Sequence, residues 1–310
     1  MVTLLLFPGQ GTQHVGMGKD LAAAFPAARE TFEAIDEALG IPLSRTMWDG
    51  PADALQQTDI TQPAIVAHSA AALAVVKDRL GEVAGAAGHS LGEYSAYVAA
   101  GSLAPVSAAR LVRRRGGLMQ EAGTARPGAM AAVLGLATEK VLRACREASS
   151  GEEIAVAANL NAPDQTVVSG DPPAVARAGE QCKAAGAKRV LPLKVSGAFH
   201  SPLMAPAARG LAAELDAATF ADPAFPVVAN ASARPVRSAL EARRELTAQL
   251  TAPVRWVECV QSLAILAPEG GSRFVEIGPG TVLGGLLKRI LPGAPYRSLG
   301  TAAEVERFLA

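Results

Sequence analysis

The stretch Ala86-Ala87-Gly88-His89-Ser90-Leu91-Gly92-Glu93-Tyr94-Ser95 decides how this chain is read. It contains Gly-x-Ser-x-Gly, set where an apolar strand turns sharply into a helix. Upstream, Val83 to Ala87 are small and apolar. Downstream, Leu91 to Ala100 reads as a helix, and Gly101 stands where a C-cap glycine belongs. A serine on such a turn has its hydroxyl pushed out of the fold, and the two glycines let backbones pass closely. The N–H of Leu91 then points to where an oxyanion would form. The same pentapeptide also suits a serine at an ordinary helix N-terminus, so the rest of the chain has to decide.

Composition narrows the choice. The chain has 310 residues, enough for one large domain or two smaller ones. Half of them are hydrophobic but only 4% are aromatic, and the 30 glycines suit helices packed closely on a sheet. Lys+Arg and Asp+Glu balance at 29 each, so no global charge argues for nucleic acid or an anionic membrane as a partner. Cys145, Cys182 and Cys259 lie far apart, without metal-ligand spacing, and an odd count argues against a disulfide framework. Buried free thiols in a reducing cytoplasm are expected. Leu4-Leu5-Leu6-Phe7 lacks a preceding basic residue and runs into Pro8-Gly9, which makes it a short strand rather than a signal peptide. No stretch is expected to serve as a membrane span or to approach the length of one.

Strand–loop–helix units run from the N-terminus to about residue 124. Val2–Phe7 is a strand followed by the loop Pro8-Gly9-Gln10-Gly11, and a helix is entered at Thr61-Gln62-Pro63 with Ile65, Leu73 and Val76 on its buried side. The Ser90 elbow comes next, then a helix through Leu111, Val112 and Leu118. Apolar strands without strict alternation, separated by helices, indicate a parallel sheet covered on both faces. From 125 to 195 the pattern becomes β-α-β-β-α-β, a ferredoxin-like order. It comprises a strand Gly128–Leu134, a helix Thr138–Ala148 burying Val141, Leu142, Cys145 and Ala148, and strands Ile154–Ala158 and Thr166–Ser169 joined by a turn holding Asn159 and Asn161. A helix from Asp171-Pro172 to Gly186 and a strand through Leu191, Leu193 and Val195 complete it. The expected architecture is therefore an α/β-hydrolase-like parallel-sheet domain, residues 1–124 and 196–310, with a ferredoxin-like subdomain, residues 125–195, inserted. The last part adds a strand Phe274–Ile277, Gly278-Pro279-Gly280 and a helix through Leu283 to Ile290. Neither this loop nor that at Gly9 meets a nucleotide-binding spacing, so no nucleotide cofactor is expected.

A serine nucleophile needs a base, and there are four histidines. His89 adjoins Ser90, and neighbouring side chains at an elbow diverge. His68 sits among apolar residues and reads as a satisfied structural histidine. His14 lies in the first glycine loop, with nothing further in its flanks. His200, in Gly197-Ala198-Phe199-His200-Ser201-Pro202, follows the strand that closes the inserted unit, where a loop can face the cleft between the two units. It also follows the serine in sequence, as in α/β-hydrolases, and is the favoured base.

Phe7-Pro8-Gly9-Gln10-Gly11, Gly88-His89-Ser90-Leu91-Gly92-Glu93, Arg113-Arg114-Arg115-Gly116 with Met119-Gln120, Asn159-Leu160-Asn161, Gly197-Ala198-Phe199-His200 and Glu276-Ile277-Gly278-Pro279-Gly280 follow one another along the chain. Together they resemble the ordered signature of malonyl-CoA:acyl-carrier-protein transacylases, from about residue 3 to about 290. The resemblance implies Ser90 as the nucleophile, His200 as general base and then acid, and Gln10 and Leu91 as backbone donors of an oxyanion hole. It implies that a backbone carbonyl at Gln249 holds the histidine. Arg115 would clamp the malonyl carboxylate, a task that suits a bidentate guanidinium. Three consecutive arginines on a helix point about 100° apart and cannot all face water. Asn159 and Asn161, turn residues on their own terms, would also line or order the site. Phe199 before the base accompanies malonyl rather than methylmalonyl selectivity.

The implied reaction is a ping-pong transfer of malonyl from malonyl-CoA, through a serine ester, to the phosphopantetheine thiol of holo acyl-carrier protein. It needs no cofactor beyond the CoA thioester and no metal, and a monomer suffices. Lys188, Arg189 and Lys194 could receive an acidic carrier protein or could form a solvated strand edge. Met1 directly before the first strand suggests a discrete enzyme. A serine esterase would share the elbow but has no use for Arg115. A silent docking relative would not need Ser90, His200 and Arg115 together.

Overall fold

The computed structural model describes residues 1–268 and 271–310. The chain enters with strands β1 (Val2–Phe7) and β2 (Val83–Gly88). It runs through β3 (Ala129–Leu134), β4 (Ala155–Ala162), β5 (Gln165–Gly170) and β6 (Arg189–Pro192), and returns with β7 (Val227–Val228), β8 (Pro235–Val236), β9 (Ser272–Ile277) and β10 (Tyr296–Leu299). One sheet has the order β10-β9-β1-β2-β7-β8 and is parallel except for β8, which runs antiparallel to β7. β1 lies near its centre, every residue buried, as expected of a strand covered on both faces. The other sheet, β4-β5-β3-β6, is antiparallel and carries the helices Thr138–Ala148 and Pro172–Ala184. The expected combination of a parallel core and a separate ferredoxin-like sheet is what the chain forms.

Several local expectations need correction. The helix expected to open at Thr61 begins at Thr58, so Pro63 lies inside it. That helix and its continuation to Arg79 are, contrary to the sequence reading, long and apolar enough to span a bilayer, with a mean hydropathy of 1.3. It is apolar on all sides because helices and sheet enclose it, and most of it is buried. Leu142 is exposed at 36%, its place on the buried face of its helix being taken by Ala144. β4 extends to Ala162, so Asn159 and Asn161 are strand residues and not a turn. β6 stops at Pro192, leaving Leu193 and Val195 outside the ladder. His68 is buried, but among the described residues neither ring nitrogen has a hydrogen-bond partner, so it is not a satisfied histidine.

β4 is tied beside the site to the segment that follows Gln249. Leu160 N–H donates to the Val254 carbonyl at 2.9 Å, and Val254 N–H donates to the Ala158 carbonyl at 2.8 Å. The segment just after Gln249 thus pairs with β4, and residues from both sheets are brought to one place.

Candidate active site

The elbow is built from close backbone approach. β2 ends at Gly88, Ser90 takes a left-handed φ of +54°, and the helix Gly92–Ala99 begins at once. A Cβ on Gly88 would sit 1.9 Å from the Gly92 carbonyl oxygen, and one on Gly92 would sit 2.3 Å from that of Phe7. Only glycine fits at either position, which is why the two glycines bracket the serine.

His200 is also left-handed, at φ +55°. Its loop is fixed by Ser201, whose hydroxyl donates to the Ala198 carbonyl at 2.6 Å and accepts Leu203 N–H. The imidazole Nδ1 meets the Gln249 carbonyl oxygen at 3.0 Å, an acceptor only, so Nδ1 carries the proton and Nε2 is left to accept. Ser90 Oγ lies 2.7 Å from that Nε2. Burial, with the Arg115 charge nearby, drives the His200 pKa down to about 3. The imidazole is therefore neutral throughout the physiological range and free to take a proton.

Arg115 comes from the helix Pro105–Ala125 and is 1% exposed, whereas Arg114 lies at the surface and Arg113 donates to the Leu39 carbonyl. Its Nη1 donates to Gln62 Oε1 at 2.7 Å, and its Nη2 donates to Gln249 Oε1 at 3.0 Å and to Ser90 Oγ at 3.1 Å. Its Nε is buried without a partner, and it has no ion pair among the described residues. A desolvated cation held only by amide and hydroxyl oxygens is equipped to receive an anionic group.

Ser90, His200 and Arg115 open on a cavity of about 120 Å³, lined also by Gln10, His89, Met119, Met130, Asn159, Leu193, Val195 and Phe199. The backbone N–H groups of Gln10 and Leu91 have no acceptor among the described residues. They are available to an oxyanion. A larger hollow of about 720 Å³ lies between β3, β6 and the helix Pro172–Ala184, and none of Ser90, His200 and Arg115 lines it. Asn159 reaches the cavity directly. Asn161 acts one step away, its Oδ1 accepting His89 Nε2–H at 2.8 Å. Among the described residues no group of metal-ligating side chains is present.

Three participants were not read from the sequence. Gln62 holds Arg115, Asn230 accepts Ser90 N–H at 2.7 Å, and Glu93 sits fully buried behind both Asn230 and Gln249. Burial lifts the Glu93 carboxyl to about 7 against the opposing pull of its Asn230 and Gln249 donors. Glu93 stood inside the quoted elbow without a role assigned to it. Gln62 and Asn230 carry no local signal at all.

A half-buried serine bonded to a buried histidine, two free backbone donors and a guanidinium at the serine, on a parallel sheet with an added antiparallel one, fit an acyltransferase. The profile of the acyl transferase domain family matches residues 4–304, and the chain belongs to that family. It is 46% identical over 287 residues to the malonyl CoA-acyl carrier protein transacylase of Escherichia coli (strain K12), covering 92% of each chain. Among solved structures it is similar to an acyl carrier protein S-malonyltransferase from Vibrio cholerae, with a TM-score of 0.94, 42% identity and 99% of each chain covered. It is equally similar to the malonyl-transacylase solved in complex with its type II polyketide synthase acyl-carrier protein. That match has a TM-score of 0.94 at 43% identity, over 100% of this chain and 99% of the other.

Proposed function

We propose that this protein transfers the malonyl group of malonyl-CoA to the phosphopantetheine thiol of an acyl-carrier protein, supplying extender units for fatty-acid or polyketide synthesis. In the first half-reaction Ser90 Oγ attacks the thioester carbonyl while His200 Nε2 takes the hydroxyl proton. The oxyanion is received by the N–H groups of Gln10 and Leu91. The C–S bond then breaks and His200 returns the proton to the departing CoA sulfur, leaving malonyl as a Ser90 ester. In the second half the carrier thiol gives its proton to His200 and attacks that ester, and the proton passes to Ser90 Oγ as the C–O bond breaks.

The observation that carries this reading is Arg115, a buried guanidinium without a carboxylate partner among the described residues, 3.1 Å from the Ser90 hydroxyl. A thioesterase of neutral acyl groups has no use for that charge. A malonyl ester supplies its counter-ion, and the same contact would hold the ester away from an aligned water. Nucleophile, base, donors and charge all come from one chain, so a monomer suffices and no cofactor is required. The buried unpaired thiols fit the cytoplasm.

Intact-protein mass spectrometry after malonyl-CoA, then holo acyl-carrier protein, tests the reading, with Ser90→Ala as control. A malonyl adduct that needs Ser90 and moves to the carrier is expected. An adduct lost to water with the carrier left bare would mean a hydrolase instead.

A further inference from the structure

Ser90 is held in its strained conformation by side chains at both of its backbone polar groups, its carbonyl also accepting the Glu93 backbone N–H at 3.0 Å. Asn230 Oδ1 accepts Ser90 N–H at 2.7 Å, and Gln249 Nε2 donates to the Ser90 carbonyl at 3.0 Å. The Asn230 main chain and the Gln249 side chain converge on one atom. Glu93 Oε2 accepts the Asn230 backbone N–H at 2.9 Å and Gln249 Nε2 at 2.7 Å. Asn230 is pinned again at its far end, where Nδ2 donates to the Gly88 carbonyl at 2.7 Å. Glu93 itself is fully buried, makes no hydrogen bond to the Ser90 hydroxyl or to His200, and leaves Oε1 without a partner among the described residues.

A lone buried carboxyl with one orphaned oxygen is an expensive way to fill space. Its use lies in offering a single strong acceptor to donors from two different parts of the chain, the turn after β7 and the last residue of the helix Ala239–Gln249. We propose that Glu93 is a positioning residue for acyl transfer: its Oε2 anchors the Asn230 main chain and the Gln249 side-chain amide, the two residues that hold the Ser90 backbone, and so keeps the hydroxyl aimed at His200 Nε2. The inference rests on the reading of Ser90 as the acyl-carrying nucleophile.

The test is single-turnover acylation of wild type, Glu93→Ala, Glu93→Gln and Asn230→Ala by malonyl-CoA and by acetyl-CoA. Rates are expressed per active site, counted from the end-point adduct. Because the Ser90 backbone serves both donors, Glu93→Ala lowers both rates by a similar factor, roughly ten- to a hundredfold. Glu93→Gln keeps an acceptor oxygen and recovers to within about threefold of wild type, and Asn230→Ala falls in the same direction as Glu93→Ala. A residue with only a structural task would lower the melting temperature and the folded yield and leave the rate per site alone. A per-site rate in Glu93→Ala within about threefold of wild type, or a Glu93→Gln as slow as Glu93→Ala, overturns the inference. Should Glu93→Ala not fold, Asn230→Ala decides, and an unchanged per-site rate there overturns it. If wild type itself forms no acyl-enzyme, the function proposed above fails first and takes this inference with it.

Discussion

Arg115 Nη2 and Ser90 Oγ lie 3.1 Å apart, so the hydroxyl has a cation on one side and the neutral His200 imidazole on the other. The cation has two consequences. It lowers the His200 pKa further than burial alone would, and under the proposed function it would pair with the free carboxylate of the acyl group.

Removing that charge should separate substrates. In Arg115→Ala, acylation by malonyl-CoA falls by roughly a hundredfold, the worth of a charge-assisted pair, while acylation by acetyl-CoA is kept or rises. The ratio of the two adducts after a fixed short exposure measures it. An unchanged ratio would remove the carboxylate clamp from the mechanism.

Phe199 lines the cavity at 6% exposure, and the cavity holds only about 120 Å³. Phe199→Ser should open space for an α-methyl and shift the preference between malonyl-CoA and methylmalonyl-CoA toward the latter by roughly tenfold. Competition between the two donors, with the adducts distinguished by mass, gives the ratio directly.

His68 should make the fold sensitive to acid. Burial lowers its pKa from 6.5 to about 4, so between those values the unfolded chain binds a proton that the folded chain refuses. Stability from this group is complete above pH 6.5 and drains away as pH falls toward 4. At pH 5 the loss amounts to about 2 kcal/mol. Glu93, lifted by burial to about 7, acts with the opposite sign, costing stability as pH rises from 4.5 through 7, so the wild-type curve alone does not isolate the histidine. The difference in melting temperature between His68→Leu and wild type does. It should move in favour of the variant as pH drops from 7 to 5, and a flat difference would show that His68 binds its proton as readily in the folded chain as in the unfolded one.

The sequence was most legible where a local pattern has one geometric cause. Gly88 and Gly92 around Ser90 announce a backbone crossing that no other residue could make, and the chain makes it. The three arginines forced one inward, and Arg115 is the one buried. What sequence did not reveal depends on contacts between distant segments. Asn230 meets Ser90 across 140 residues and Gln249 meets Glu93 across 156, distances over which neither periodicity nor turn chemistry carries information. Asn159 and Asn161 were misplaced for a related reason. Asparagine favours turns in isolation, and only the pairing of β4 with β5 and Val254 keeps them in a strand. His68 misled in the other direction, since burial was readable but the missing partners were not.

Ser90 and His200 both stand at a backbone conformation that side chains avoid, φ +54° and +55°. The backbone is therefore strained at both members of the proposed nucleophile–base pair, and each could relax by becoming glycine. Selection for thermal robustness alone would drift toward that exchange and lose the reaction. Directed evolution of this protein for heat tolerance should accordingly retain both residues only when turnover is screened alongside melting, because here durability and chemistry ask the backbone for different shapes.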